Sequence, residues 1–151
     1  MSIKMLLAAA AVALAAAPAL AAGDKGTADE AVAMAKKAVA AIAKDGAPAT
    51  YGAITAKDPR FVDRDLYVIV YDMNGKCLAH GANPKLPGKD LIENQDTDGK
   101  FYIKERVELA KTQASFWQDY KFTNPTTKKI EPKSTYCERT GETVACVGIY
   151  K

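Results

Sequence analysis

The pattern of hydrophobic and polar positions predicts that the chain begins its folded part with helices. Apolar residues recur at helical spacing over 27–44, and Thr27 and Glu30 stand at the spacing of a capping box. Gly46 lies just beyond the last apolar position, where a glycine commonly ends a helix. A shorter helix is predicted over 48–57, before the Asp-Pro pair that follows it.

The remainder of the chain is typical of antiparallel strands. Runs rich in β-branched and aromatic residues predict five strands, at 66–71, 76–80, 116–122, 133–138 and 143–150. Asn74-Gly75 favours a tight hairpin between the first two, and 101–112 has a helical period instead. Helices followed by such strands indicate an α+β domain, with a sheet that the helices cover on one face.

The first 21 residues have the pattern of an export signal. Lys4 supplies a positive start, an apolar run follows, and Pro18 precedes a small-residue cleavage site at 19–21. The alternative is a membrane anchor, but the uncharged run of about 16 residues is shorter than the ~20 needed to span a bilayer. We therefore expect residues 1–21 to be a signal peptide and the mature protein to be periplasmic.

Composition excludes several classes of protein. The chain has 151 residues, enough for one domain, with 21 Lys and Arg against 18 Asp and Glu. A net charge of +3 lacks the dense cationic excess of a nucleic-acid binder. A single His and three Cys without a Cys-x-x-Cys pair exclude zinc-ribbon and haem-attachment motifs. No cofactor is expected, and no Gly-x-Ser-x-Gly motif or paired base and nucleophile indicates an enzyme.

Two of the cysteines lie at positions that a hairpin would bring together. A turn centred between Gly141 and Glu142 places Cys137 directly opposite Cys146. In an exported protein the two cysteines can form a disulfide or remain as two buried thiols. The sequence alone does not decide between these alternatives. Cys77 is left over and is expected to pack as a small hydrophobic side chain.

Several motifs, in order and spacing, resemble those of the single Cache domain, type 2. The match extends from about residue 61 to the end of the chain. Its parts are the opening hairpin Tyr67–Asp72 with Asn74-Gly75 and Leu78–Gly81, the middle Pro84, Gly88–Leu91 and Asp96–Lys100, and the closing Trp117–Phe122, Pro132–Tyr136 and Val147–Tyr150.

The resemblance implies a PAS-like fold, in which a long N-terminal helix packs on an antiparallel sheet of about five strands. Residues 22–60 would form the helical segment and 61–151 the sheet domain. Relatives bind small ligands, often carboxylates, on the other side of the sheet, and most continue into a membrane helix and a signalling domain. This chain stops at Lys151. We therefore expect a free-standing secreted protein that acts with a membrane sensor or transporter.

The resemblance places Lys133 and Tyr120 at positions that line the ligand pocket. An ammonium group and a phenol at one concave site can hold a carboxylate through charge-assisted hydrogen bonds. The alternative is a solvated lysine and a core tyrosine. Further candidates for the pocket are Tyr136, Tyr67, Tyr71, Trp117 and His80. His80 is either a structural hydrogen-bonding group or a ligand contact that makes binding vary between pH 5 and 8.

One segment has the spacing of a calcium-binding loop. Asn94, Asp96 and Asp98 precede Gly99, and Glu105 stands where an EF-hand has its last ligand. An Asn at the first position and the absence of an entering helix argue against the metal. The resemblance offers an Asp-x-Asp-Gly turn whose acids cap the following helix.

The sequence thus supports one principal function and two alternatives. The principal hypothesis is a periplasmic protein that binds or senses a small polar metabolite, such as an organic acid. The first alternative is a structural or interaction module with a vestigial pocket, whose alanine-rich helix docks a partner or a second copy as a homodimer. The second is an enzyme with Lys133 or His80 as its base, which the missing nucleophile disfavours.

Overall fold

The computed structural model describes residues 23–151, so the predicted signal peptide lies outside the described residues. Three helices occur in this part of the chain: α1 (Ala28–Asp45), α2 (Ala47–Thr55) and α3 (Tyr102–Thr112). None of the helices within residues 23–151 has the length and apolar character needed to cross a membrane.

The boundaries of α1 follow from local chemistry. Thr27 accepts a hydrogen bond from the backbone N–H of Glu30, and the Glu30 carboxylate accepts one from the Thr27 N–H at 2.8 Å. This confirms the predicted capping box, which satisfies amides that the helix leaves unpaired. Gly46, at φ +88°, ends α1 and turns the chain directly into α2. Pro48 lies in the first turn of α2, where its missing N–H costs no hydrogen bond.

Within residues 23–151 the strands form a single antiparallel sheet of six. They are β1 (Val62–Asp63), β2 (Leu66–Asp72), β3 (Cys77–His80), β4 (Ser115–Thr123), β5 (Ile130–Thr140) and β6 (Thr143–Tyr150). The order is β1-β2-β6-β5-β4, and β3 also pairs with β2. The α+β class and the antiparallel sheet are confirmed. β1, the strand that the pattern did not predict, is two residues long and therefore shows no alternation.

One face of the sheet is covered by α1 and α2. The buried side of α1 packs on the central strands, and its members are Ala31, Met34, Ala35 and Ala38. Their small side chains let the helix approach the sheet closely. The domain's own sheet covers these alanines, and docking of a partner or a second copy through the helix stays a prediction.

The opposite face of the sheet carries a second core, covered by α3 and the segment before it. Its members include Tyr67, Ile69, Tyr71, Phe116 and Tyr120, together with Tyr102 and Ile103 from α3. This core contains most of the aromatic side chains and all the buried basic groups described below. We call it the aromatic face.

The β5–β6 hairpin has the register that the sequence predicts. Cys137 is paired directly with Cys146, and the structure contains a disulfide between them. Gly141, at φ +59°, lies in the turn that sets this register. Cys77 is a buried free thiol, whose pKa burial raises to about 12.

Candidate functional site

A row of three neighbouring side chains crosses the aromatic face. Tyr120 on β4 pairs with Lys133 on β5, which in turn pairs with Tyr150 on β6. Residues paired across antiparallel strands point to the same side of a sheet, so the three side chains lie side by side. All are buried, and the Lys133 side chain is only 1% exposed. The register therefore places an ammonium group inside an aromatic core.

The Lys133 ammonium is surrounded by aromatic rings. Its Nζ lies 4.1 Å from the ring centroid of Tyr67 and 4.9 Å from that of Tyr150. The rings of Phe122 and Tyr120 follow at 5.6 and 6.0 Å. The negative faces of such rings stabilise a cation that has left water.

A directed chain of hydrogen bonds begins at the same ammonium. Lys133 Nζ donates to Tyr67 Oη at 2.8 Å, and the hydroxyl groups of Tyr67 and Tyr150 are 3.0 Å apart. Tyr150 Oη donates onward to the backbone carbonyl of Thr123 at 2.8 Å. Because the Tyr150 proton is used there, Tyr67 is the donor to Tyr150. This series of hydrogen bonds uses one of the three N–H groups of Lys133 and leaves two for other acceptors.

Gly148 makes room for the Lys133 side chain. A Cβ atom at residue 148 would lie within 2.3 Å of both Lys133 Cε and Thr135 Oγ1. Gly148 pairs with Thr135 on β5, so the lysine stem crosses diagonally over the glycine. A glycine is therefore required at this point for the ammonium to reach its aromatic surroundings.

His80 is buried beside the row as a neutral ring. Its Nδ1 accepts hydrogen bonds from the backbone N–H groups of Ala82 at 3.2 Å and Asn83 at 3.0 Å. The proton of the neutral ring is therefore on Nε2. The ring stacks on Tyr67 with the centroids 5.2 Å apart. Burial, followed by the charge of Lys133, lowers the pKa of His80 to about 3.

A second buried cation, Arg106 on α3, was not among the predicted site residues. Its Nε donates to Gln118 Oε1 at 3.1 Å, while Gln118 Nε2 donates to the Tyr102 carbonyl at 2.7 Å. The Arg106 side chain is fully buried, and its Nη1 and Nη2 have no hydrogen-bond partner among the described residues. The sequence does contain a clue, because Arg106 falls between Ile103 and Ala110 on the apolar stripe of the helix.

Tyr120 lies between the two cations. Its ring centroid is 5.1 Å from the Arg106 guanidinium carbon and 6.0 Å from Lys133 Nζ. It stacks in parallel on Tyr102, and its hydroxyl accepts a hydrogen bond from Thr135. Burial by itself raises the pKa of Tyr120, but Lys133 and Arg106 outweigh it and lower that pKa to about 8.

The structure brings together most of the predicted site residues but not all. Tyr71 lies on the aromatic face, with its ring 5.4 Å from the Arg106 guanidinium carbon. Tyr136 and Trp117 lie on the opposite face, where their ring centroids are 5.5 Å apart. Tyr136 donates to the Glu138 carboxylate, and Trp117 is 42% exposed. Alternation along β4 and β5 points these two side chains away from Lys133, so they cannot line a site around it.

The segment with calcium-loop spacing is instead a turn held by its own amides. Asp96 Oδ1 accepts hydrogen bonds from the N–H groups of Asp98 and Lys100, and its Oδ2 accepts one from Lys121 on β4. Burial opposes ionisation, but these amides lower the pKa of Asp96. Asp98 pairs with the Lys121 ammonium and Glu105 with that of Lys100.

These acidic groups therefore do not converge on a metal. Among residues 23–151 no cluster of three His, Cys, Asp or Glu side chains could hold one. The turn does not cap α3 either, because the helix begins after Phe101 without a side-chain cap. The acids of this turn instead attach the segment before α3 to the free edge of β4.

Two surface clefts lie close to Lys133 or to its hydrogen-bond partner Tyr67. One of about 260 Å³ is lined by Tyr120 and Lys133 together with charged residues at the edge of the sheet, and one of about 190 Å³ includes Tyr67. Both cationic side chains are sealed from solvent in this conformation, since Lys133 is 1% and Arg106 0% exposed. A ligand reaches them only if neighbouring side chains move.

The chain is similar to a known protein family and to a curated protein. The model of the family described as Single Cache domain 2 matches residues 1–142. A curated relative is the methyl-accepting chemotaxis protein McpP of Pseudomonas putida, 33% identical over 76 residues. This match covers 50% of the chain and only 14% of the receptor.

Three solved structures share the fold. A methyl-accepting chemotaxis protein from Vibrio parahaemolyticus superposes with a TM-score of 0.70 and 23% identity, over 81% of this chain and 86% of the other. A periplasmic sensor domain of a chemotaxis protein gives 0.64 and 23%, over 81% and 88%. A Cache chemosensory domain, described with the structural basis of its carboxylic acid recognition, gives 0.63 and 19%, over 78% and 84%.

Proposed function

This chain belongs to the Single Cache domain 2 family, and from that premise we propose that it binds a small carboxylate beside Lys133 on the aromatic face. Domains of this family are sensory modules that bind small molecules, and the relatives found are chemoreceptors or their periplasmic sensor domains. The proposal extends this to the class of ligand and to the residues that hold it.

The observation that carries the proposal is a buried ammonium group without an acidic partner. None of the ion pairs among the described residues includes Lys133. Burying a charge without a counter-charge costs several kcal/mol, on the order of the penalty measured for unpaired buried ions. A carboxylate ligand supplies the missing negative charge and accepts hydrogen bonds from the two N–H groups of Lys133 that are not bonded to Tyr67.

Neighbouring polar groups would complete the contacts to the ligand. Tyr120 carries a hydroxyl on one side of Lys133, and neutral His80 carries an Nε2–H group in the same core. Tyr67 holds the ammonium in place through its hydroxyl and ring. Such a set recognises a carboxylate by charge and hydrogen bonding, while the surrounding rings limit the ligand to a small size.

The proposal includes a compartment and a partner. One similar structure is described as a periplasmic sensor domain, and together with the predicted export signal this supports a periplasmic location. The partner that responds to the bound state would be a membrane sensor or transporter. We propose binding without chemical conversion, because the site combines cations and phenols but no nucleophile with an oriented base.

A thermal-shift screen of the purified protein against small carboxylates, amino acids and uncharged metabolites tests the proposal. We expect carboxylates to raise the melting temperature and Lys133→Gln to abolish this rise. Lys129→Gln is the matched control, since it removes the same charge from an exposed side chain on the same hairpin. A library in which no carboxylate stabilises the protein, or a Lys133→Gln variant that still responds, would contradict the proposal.

A further inference from the structure

Arg106 presents an open hydrogen-bonding edge inside the aromatic face. Its Nε is taken by Gln118, whose orientation is set because its own amide N–H group donates to the Tyr102 carbonyl. The guanidinium is therefore held from one side, and Nη1 and Nη2 are left without partners among residues 23–151. Two adjacent Nη groups match the two oxygens of a carboxylate.

The two buried cations lie in neighbouring but separate surroundings. Lys133 faces the rings of Tyr67, Tyr150 and Phe122. Arg106 faces Tyr71 at 5.4 Å and Tyr102 at 5.9 Å. Tyr120 is the one aromatic ring that both cations share. The two cations therefore lie on either side of the Tyr120 ring, where each can contact one end of a ligand.

The groups that face these cations cannot neutralise them at pH 7. Burial raises the pKa values of Tyr67, Tyr71, Tyr102 and Tyr150, which keeps all four phenols protonated. The Cys77 thiol is likewise protonated, and His80 is neutral. Tyr120, with a pKa of about 8, is mainly protonated as well. These phenols, the thiol and the imidazole therefore supply no counter-charge to the two cations.

We propose that the preferred ligand is a small dicarboxylate, with one carboxylate at Lys133 and the other at the Nη groups of Arg106. This inference rests on the proposed function and specifies its ligand class. Two carboxylates balance two buried charges, whereas one leaves a guanidinium buried without an acceptor. Because both cations border the ring of Tyr120, the carboxylates are separated by a short carbon chain.

The decisive comparison is made on the unaltered protein by titration calorimetry at pH 7. The ligands are malonate, succinate and glutarate, each beside its monomethyl ester, which removes one charge and adds only a methyl group. We expect at least one diacid to bind about tenfold or more tightly than its ester, since it gains a charge-assisted contact. Esters that bind as tightly as their diacids throughout the series would overturn the inference.

Substitutions then identify the residue that binds the second carboxylate. We expect Arg106→Gln to weaken diacid binding to the level of the ester and to leave ester binding within about twofold. Lys111→Gln is the matched control, because Lys111 is an exposed cation on the same helix. If Arg106→Gln does not fold, the comparison of diacids with esters on the unaltered protein decides the matter alone.

The outcomes separate the two proposals. If propionate and other monocarboxylates bind and the diacids do not, the ligand class is wrong while carboxylate binding at Lys133 stands. If neither diacids nor monocarboxylates bind, the proposed function fails together with the inference.

Discussion

Lys133 Nζ donates a hydrogen bond to Tyr67 Oη over 2.8 Å, although the two residues are 66 positions apart in the chain. The bond joins β5 to β2 across the intervening β6. It places a charged group on the aromatic face, where the ring centroids of Tyr67 and Tyr150 lie 4.1 Å and 4.9 Å from it. Substitution of Lys133 distinguishes a role in stability from a role in binding.

The first prediction is that Lys133→Met preserves or increases stability while it abolishes carboxylate binding. Methionine has a similar length and no charge, so the variant removes the cost of burying an unpaired ammonium. We expect the free energy of unfolding in urea to stay the same or rise by about 1–3 kcal/mol. A loss of stability of that size would instead show that the lysine holds the fold together.

The second prediction concerns Tyr120. Lys133 and Arg106 lower its pKa to about 8 against the effect of burial, so one tyrosine should ionise near pH 8 in an ultraviolet absorbance titration. Tyr120→Phe should remove this step, whereas Tyr51→Phe, on α2, should leave it.

The same ionisation links binding to pH. A bound carboxylate adds negative charge beside the phenol and raises the pKa of Tyr120. By linkage, carboxylate affinity should fall as the pH rises above 8, by up to about tenfold per pH unit. An affinity that is constant between pH 7 and 9.5 would contradict the assigned geometry.

The third prediction is that His80 does not titrate between pH 5 and 8. Burial and then Lys133 lower its pKa to about 3, so binding should not vary over that range through this residue. It is the only histidine, so its ring resonances in an NMR titration are unambiguous. A midpoint between pH 5 and 8 would contradict the structure.

The buried neutral His80 also predicts acid sensitivity of the fold. Its pKa is lower in the folded state than the ordinary 6.5, so only the unfolded chain takes up the proton below that value. Stability is fully present above pH 6.5 and falls by about 2 kcal/mol between pH 6.5 and 5. Urea unfolding at these two pH values measures the loss, and His80→Gln should reduce it.

The fourth prediction tests the space above Gly148. Gly148→Ala places a Cβ within 2.3 Å of Lys133 Cε, so the lysine must move from its aromatic surroundings. We expect a stability loss of about 1–3 kcal/mol from overpacking, together with weaker carboxylate binding. Gly52→Ala is the control, because a Cβ there meets no atom within 4 Å and alanine favours the α2 helix. Unchanged binding in Gly148→Ala would exclude the proposed position of the ammonium.

Short-range chemistry made the elements of this fold predictable. The capping box at Thr27, the glycine after α1 and the turn at Gly141 each act within a few residues. The same locality explains why the pairing of Cys137 with Cys146 could be read from the hairpin. The family was indicated separately, by the resemblance of an ordered set of motifs that runs from Tyr67–Asp72 to Val147–Tyr150.

The candidate site was only partly predictable, for a geometric reason. Alternation shows which residues of a strand share a face, but not which face a helix will cover. Tyr136 was a further candidate, but it stands three residues from Lys133 on β5, so alternation places it on the opposite face, which α1 covers, while Tyr120 lies on the aromatic face. Arg106 lies on the apolar side of its helix, and burial of a charge there depends on partners remote in the sequence.

The sequence by itself thus determined the helices and the hairpins, because caps, turns and alternation depend on neighbouring residues, and its resemblance to known motifs indicated the family. Only the tertiary structure decided that two buried cations meet around Tyr120. That arrangement depends on α3 packing over β4 and on the register of β4, β5 and β6, which bring together charges from distant parts of the chain.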